Sequence, residues 1–198
     1  MSVNIKRKVL KLAILGDSTV GKTSICRVFF GYEFDENQTA TLGQVKFEKN
    51  FRMSDNENLK VIIWDTAGQE RFHAIALNAC KTAQGIIICF DLTNHKTFDN
   101  IKFWLDDINN TYNDVPILLL GNKLDMKEER QISNEEAEKL AKELNLEYFE
   151  SSAKERTNIE KGIMSLVNKV YKLSKKRKHK NITLDERTEK SVKKEKCC

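Results

Sequence analysis

One proline and eight glycines in 198 residues exclude collagen-like and proline-rich architectures, which those residues dominate. Long apolar runs are also missing. The longest, Ile86–Phe90 and Ile117–Leu120, fall far short of the ~20 residues that a membrane-spanning helix needs. The amino-terminal stretch pairs no basic start with an apolar core and a small-residue cleavage site, so a chain that is neither secreted nor membrane-spanning is expected. Cys26, Cys80, Cys89, Cys197 and Cys198 are odd in number and lack metal-type spacing, which points to reduced thiols. His73, His95 and His179 form no cluster, so neither a metal–histidine site nor a catalytic triad is read here.

What the chain does have is a folded domain's composition, 40% hydrophobic and 32% charged, with its charge unevenly placed. Residues 172–198 hold 11 Lys or Arg against 4 Asp or Glu, so the net +5 of the whole is a basic tail on a near-neutral body. Short apolar runs at Val9–Leu15, Leu59–Trp64, Gly85–Phe90 and Pro116–Leu120, with a brief one near Tyr148, read as strands. They are too continuously apolar to alternate, as in a parallel sheet covered on both faces. Val45, Phe47 and Phe51 mark a further, half-exposed strand that turns at Ser54–Asn58 into the next run. Between the runs, Phe98, Ile101, Leu105, Ile108 and Tyr112 share one helical face, as do Ile159, Ile163, Leu166, Val170 and Leu173. Ser133 with Glu136, and Thr157 with Glu160, read as capping boxes for the last two helices, and Cys80 reads as partly exposed. An α/β domain over residues 1–175, with a mostly parallel sheet and helices on both faces, followed by a flexible tail over 176–198, is expected.

Gly16-Asp17-Ser18-Thr19-Val20-Gly21-Lys22-Thr23 follows an apolar strand and, with Ser24, opens a helix. In that context G-x-x-x-x-G-K-[ST] predicts a loop whose N–H groups cradle phosphate oxygens at the positive end of a helix. Lys22 supplies a point charge for the β- and γ-phosphates, and the Thr23 hydroxyl can ligate Mg²⁺. At the end of the next strand run lie Asp65, placed to hold Mg²⁺ through water, and Gly68, whose backbone can approach a γ-phosphate. Gln69 could orient an attacking water, by position and electrostatics rather than as a base. Asn122-Lys123-Leu124-Asp125 carries the choice of base, because a carboxylate accepts from guanine's N1–H and exocyclic amine, a pair of donors that adenine lacks. Ser152-Ala153-Lys154 would add a backbone N–H for the guanine oxygen and an aliphatic stem against the ring.

These four motifs, in this order, resemble the Ras superfamily of small GTPases over residues 8–174. Trp64-Asp-Thr-Ala-Gly-Gln-Glu-Arg-Phe72 and the terminal Cys197-Cys198 point within it to the Rab family. The resemblance implies a P-loop G domain: a six-stranded, mostly parallel sheet with one antiparallel edge strand and helices on both faces. It further implies that Thr41 binds Mg²⁺ and the γ-phosphate, and that Phe34 packs against the guanine. The sequence departs from the Rab pattern at Gln44-Val45-Lys46-Phe47, at residues 79–83 (Ala-Cys-Lys-Thr-Ala) and at Thr19, a position more often small.

A GTP/GDP switch in membrane trafficking follows as the implied function, with slow hydrolysis unless an activating protein assists. An exchange factor, an escort protein or GDP-dissociation inhibitor, and effectors are the other implied partners of a monomeric, cytoplasmic protein. The basic tail attracts anionic lipid, and prenyl groups on Cys197 and Cys198 would anchor it to the cytosolic face of an intracellular membrane. Paired terminal cysteines have no place in nucleic-acid binding, so no nucleic-acid partner is read from the basic run. The competing readings are a GTP-binding scaffold that does not hydrolyse, opposed by Gln69, and an ATP-using enzyme, opposed by Asp125.

Overall fold

The computed structural model describes residues 8–41, 43–68, 78, 80–112 and 114–194, with side chains through residue 176. The strands are β1 Lys8–Leu15, β2 Gln44–Arg52, β3 Asn58–Thr66, β4 Gly85–Asp91, β5 Ile117–Asn122 and β6 Glu147–Glu150. The described helices are α1 Lys22–Phe29, α2 His95–Asp99, α3 Ile101–Thr111, α4 Asn134–Glu143 and α5 Ile159–Lys194, with a 3₁₀ turn at Lys127–Glu129. The strands form one sheet in the order β2-β3-β1-β4-β5-β6. Only the β2–β3 pair is antiparallel.

Side-chain alternation along each inner strand divides the apolar residues between two cores. Leu10, Leu12 and Ile14 of β1 join Ile87, Cys89, Leu118 and Leu120 beneath α1 and α5. Ala13 and Leu15 join Ile86, Ile88, Phe90 and Leu119 beneath α2, α3 and α4. An unbroken apolar run is what a strand covered on both faces requires. Edge strand β2 is half-exposed instead, since only its inward residues meet the core.

Two helix boundaries differ from the pattern. The stripe from Phe98 to Tyr112 is interrupted at Asn100, between α2 and α3, although Phe98, Ile101, Leu105 and Ile108 still share one core. Ser133 does cap α4, its Oγ accepting from Glu136 N at 3.1 Å. Thr157, by contrast, is bridged to Ser152 and does not open α5. The helix begins at Ile159, after Asn158 in a left-handed conformation (φ 57°).

Past the expected boundary at residue 175 the backbone stays helical, as far as Lys194. Lys- and Glu-rich sequence favours helix without needing a core. Tyr171 is the last buried residue among the described side chains. Its hydroxyl donates to Glu57 Oε2 at 2.8 Å and Asp55 Oδ2 at 3.0 Å in the β2–β3 turn. Lys175 pairs with Asp55 and Lys8 with Glu57, their ammonium groups 4.8 and 5.3 Å from the Tyr171 ring centre. The hairpin turn and the last helix are fastened there, at the end of the sheet opposite the loop between β1 and α1.

Candidate nucleotide site

The loop from Gly16 to Gly21 joins β1 to α1, and its two glycines are demanded by their surroundings. Gly16 has φ 136°, and a Cβ there would lie 2.1 Å from Cys89 O of β4. Gly21 has φ 95°, and its Cβ would lie 2.3 Å from Asn122 Nδ2. Thr19 is left-handed as well, at φ 63°, an unusual conformation for a β-branched residue. Lys22 folds back over the loop, donating from Nζ to Gly16 O at 2.8 Å and Asp17 O at 2.6 Å. It is 5% exposed, and burial pushes its pKa below the ordinary lysine value. A buried ammonium held only by carbonyl dipoles favours an anion beside it.

Ser18, Thr19, Gly21, Lys22, Thr23 and Ser24 line a cavity of about 730 Å³, within the usual range of small-ligand sites. Gly16, Asp17 and Val20 instead shape the loop from behind. The Asp17 carboxylate is turned away from the cavity: Oδ2 accepts from Asn100 Nδ2 at 2.6 Å and Oδ1 from Trp104 Nε1 at 2.9 Å. Sequence alone gave no sign of these partners. Buried Val20 accepts through its carbonyl from Asn122 Nδ2 at 2.9 Å.

Beyond Lys22, three hard oxygen donors converge. Thr23 Oγ1 lies 2.7 Å from Thr41 Oγ1 and 2.6 Å from Asp65 Oδ2, which Thr41 Oγ1 also approaches at 3.5 Å. Asp65 is fully buried, its pKa raised by that burial, and its Oδ1 has no hydrogen-bond partner. An orphaned carboxylate oxygen beside two threonine hydroxyls suits Mg²⁺, which takes oxygen ligands. Gly68 closes this corner: a Cβ there would lie 2.3 Å from Lys22 Nζ and 2.4 Å from Asp17 O. Gln69, Cys197 and Cys198 lie outside the described residues.

The far end of the cavity is built by the ends of β5 and β6. Asn122 lines the cavity but is only 3% exposed; it ties the Val20 carbonyl to the Ala153 N–H, which reaches its Oδ1 at 3.2 Å. Lys123, at φ 69°, pairs with Asp91 at 2.6 Å. Asp125 lines the cavity, with Oδ1 accepting from Ser152 Oγ at 2.5 Å. Ala153 and Lys154 line it too, Lys154 pairing with Glu36 at 2.8 Å across the rim, and Phe34 closes the outer side. Met126 and Glu129 complete the wall from the 3₁₀ turn, a contribution no motif signalled.

Beneath this end, Arg130 holds Glu150 through both terminal guanidinium nitrogens, the Nη1–Oε2 bond measuring 2.9 Å, and Tyr148 donates to the same carboxylate at 3.0 Å. Arg130→Ala strands a mostly buried carboxylate and should cost about 2–3 kcal/mol. Urea denaturation will show it as a lowered midpoint with an unchanged slope.

The described cysteines stand apart from the chemistry. Cys80 is buried rather than partly exposed, because it packs into the α2–α4 core. Burial raises Cys26 well above the usual thiol range and brings Cys80 and Cys89 to about 12, so all three behave as small apolar residues.

Comparison with known proteins agrees with this geometry. The Ras family model matches residues 11–172. Ras-related protein Rab-8B of Homo sapiens is 39% identical over 175 residues, which are 87% of this chain and 84% of that protein. Ras-related protein Rab-8 of Diplobatis ommata is 41% identical over 170 residues, 85% and 80% of the two chains. Ras-related protein RABA4d of Arabidopsis thaliana is 35% identical over 179 residues, 90% and 79%. A glycine-bounded phosphate loop, an oxygen-lined corner and a carboxylate-bearing far wall thus occur within a sequence match spanning most of the chain, and the protein belongs to the Ras family of small GTPases, on its Rab branch.

Proposed function

We propose that this cavity binds guanine nucleotide as the working site of a Rab-type GTP/GDP switch in membrane trafficking, with each end reading a different part of the ligand. Rab proteins are GTPases, and the switch is the general property of the family. One observation supports the placement above all: a single cavity runs from Lys22 and the Thr23–Thr41–Asp65 oxygens to Asp125, so phosphate and base chemistry share one ligand.

In this reading Lys22 and the loop N–H groups bind the phosphates, and Asp125 accepts from guanine while the Ala153 loop backs its oxygen. Phe34 covers the base. Thr23, Thr41 and Asp65 would hold Mg²⁺, which neutralises charge on the β- and γ-phosphates. Thr41 and Gly68 sit on the two segments that a γ-phosphate would draw together, and Gln69 would orient the water. Partner regulators are expected as for any Rab: an activating protein to complete hydrolysis, an exchange factor, an escort or GDP-dissociation inhibitor, and effectors.

The basic segment after residue 175 would act as a tether, each Lys or Arg near an anionic bilayer contributing about 1 kcal/mol. Prenylation of Cys197 and Cys198 would supply the two chains that stable anchoring requires.

The test is to identify the nucleotide carried by purified full-length protein with Mg²⁺, then follow single-turnover hydrolysis of loaded GTP over several hours. Guanine nucleotide with slow conversion to GDP is the expected result. GTP retained without conversion would favour a scaffold, with left-handed Thr19 the first residue to replace with glycine. Adenine nucleotide, or none, would overturn the reading.

A further inference from the structure

A carboxylate in a phosphate-binding loop is an electrostatic problem, because it would repel the anion that the loop is built to hold. Asp17 occupies that position, and two donors from one distant segment restrain it. Asn100, at the α2–α3 junction, and Trp104, one turn into α3, take its two carboxylate oxygens at 2.6 and 2.9 Å. Trp104 is 5% exposed, so its indole N–H is fixed by the core beneath α3.

The backbone of the same residue is engaged as well. The Asp17 carbonyl accepts the Lys22 ammonium at 2.6 Å. Asp17 also packs so closely on Gly68 that a single methyl there would collide with it at 2.4 Å. The orientation of one residue therefore sets the seat of Lys22 and the approach of Gly68. Neither Asn100 nor Trp104 lines the cavity; both meet the loop at the Asp17 carboxylate.

We infer that Asn100 and Trp104 are positioning residues for the phosphate loop: by holding the Asp17 carboxylate away from the cavity, they slow the release of bound nucleotide. The inference rests on nucleotide being the ligand of this cavity. Freed of its donors, the carboxylate can rotate toward the phosphates, and the carbonyl that seats Lys22 loses its fixed direction. Both effects weaken the grip on phosphate without altering any group that contacts the base.

The experiment measures release of N-methylanthraniloyl-GDP from the full-length chain with Mg²⁺. Trp104→Phe keeps an aromatic ring and removes the N–H; Asn100→Ala removes the other donor; Asn100→Asp keeps the shape and sets carboxylate against carboxylate. Losing one hydrogen bond to a charged group should speed release about tenfold or more. Asn100→Asp should release faster still. Each change is repeated with Asp17→Ala, where the acceleration should shrink to less than about twofold, because residues that act through one partner do not add. Equal acceleration in both backgrounds would mean a general loosening of the fold and would overturn the inference. So would unchanged release alongside a lowered unfolding midpoint. If Trp104→Phe fails to fold, the partly buried Asn100 pair decides alone. A wild-type chain that takes up no GDP analogue fails earlier and overturns the nucleotide reading itself.

Discussion

Asp125→Asn should lower affinity for GTP by about a thousandfold or more and turn the preference toward xanthine nucleotide. A site built to pair a ligand's donors rejects a ligand lacking them by roughly 10⁴–10⁵. Here the donors are guanine's N1–H and exocyclic amine, and the acceptor is a carboxylate. Ser152 Oγ already donates to Asp125 Oδ1 at 2.5 Å, which fixes the group without exhausting it. A carboxylate offers about four lone-pair sites, enough for Ser152 and both guanine donors. An asparagine amide would bring its own N–H against the guanine amine, whereas xanthine has a carbonyl at that position and would accept it. Competition titration of GTP against XTP on the purified variant reads the exchange directly. Unchanged GTP affinity would remove Asp125 from base recognition.

The largest effect on stability is expected at Gly16. Gly16→Ala should cost more than about 4 kcal/mol, a range reached by few single substitutions and always for an identifiable reason. Two reasons coincide. The residue has φ 136°, outside what an L side chain adopts readily, and the added methyl would sit 2.1 Å from Cys89 O. That carbonyl belongs to β4, a central strand buried along its whole length, so it cannot step aside. Urea unfolding of the variant, with and without added GDP, checks the value. A loss below about 1 kcal/mol would mean that the loop can leave β4 and that its curvature is not set by this contact.

The site was legible in the sequence where its parts are contiguous. Each motif occupies one strand end and the loop after it, and in a doubly covered sheet those ends lie together. The half-exposed character of β2 was legible too, since alternation shows there and is hidden in the inner strands. What could not be read are contacts whose partners lie far apart in the chain. Nothing near Asp17 announces that Asn100 and Trp104 face it, since a lone carboxylate in a loop is equally compatible with solvent. Asn122 reads as part of a base motif, yet its buried amide serves as a brace between Val20 and Ala153. Thr157 fits the capping pattern, but the bridge to Ser152 occupies it and moves the helix start to Ile159. Cys80 lies among polar neighbours in sequence and among apolar ones in space.

The fastening of Tyr171 and Lys175 to the β2–β3 turn has a mechanical consequence. Lys175 holds the Asp55 carboxyl down at about 2, and Lys8 lowers Glu57. A depressed carboxylate contributes above its ordinary value near 4 and is lost only as the pH falls toward 2. At the other extreme, burial raises Tyr171 to about 12 and Asp55 raises Lys175, so no ordinary alkalinity undoes the joint. Salt can weaken it, since exposed charges are screened over about 8 Å at physiological ionic strength. Any tension applied through residues beyond 176 therefore reaches the body first at the hairpin turn, and the load path runs into the end of the strands opposite Lys22 and Asp125. A chain pulled by its tail can bear that pull without prising open the phosphate-loop end of the sheet.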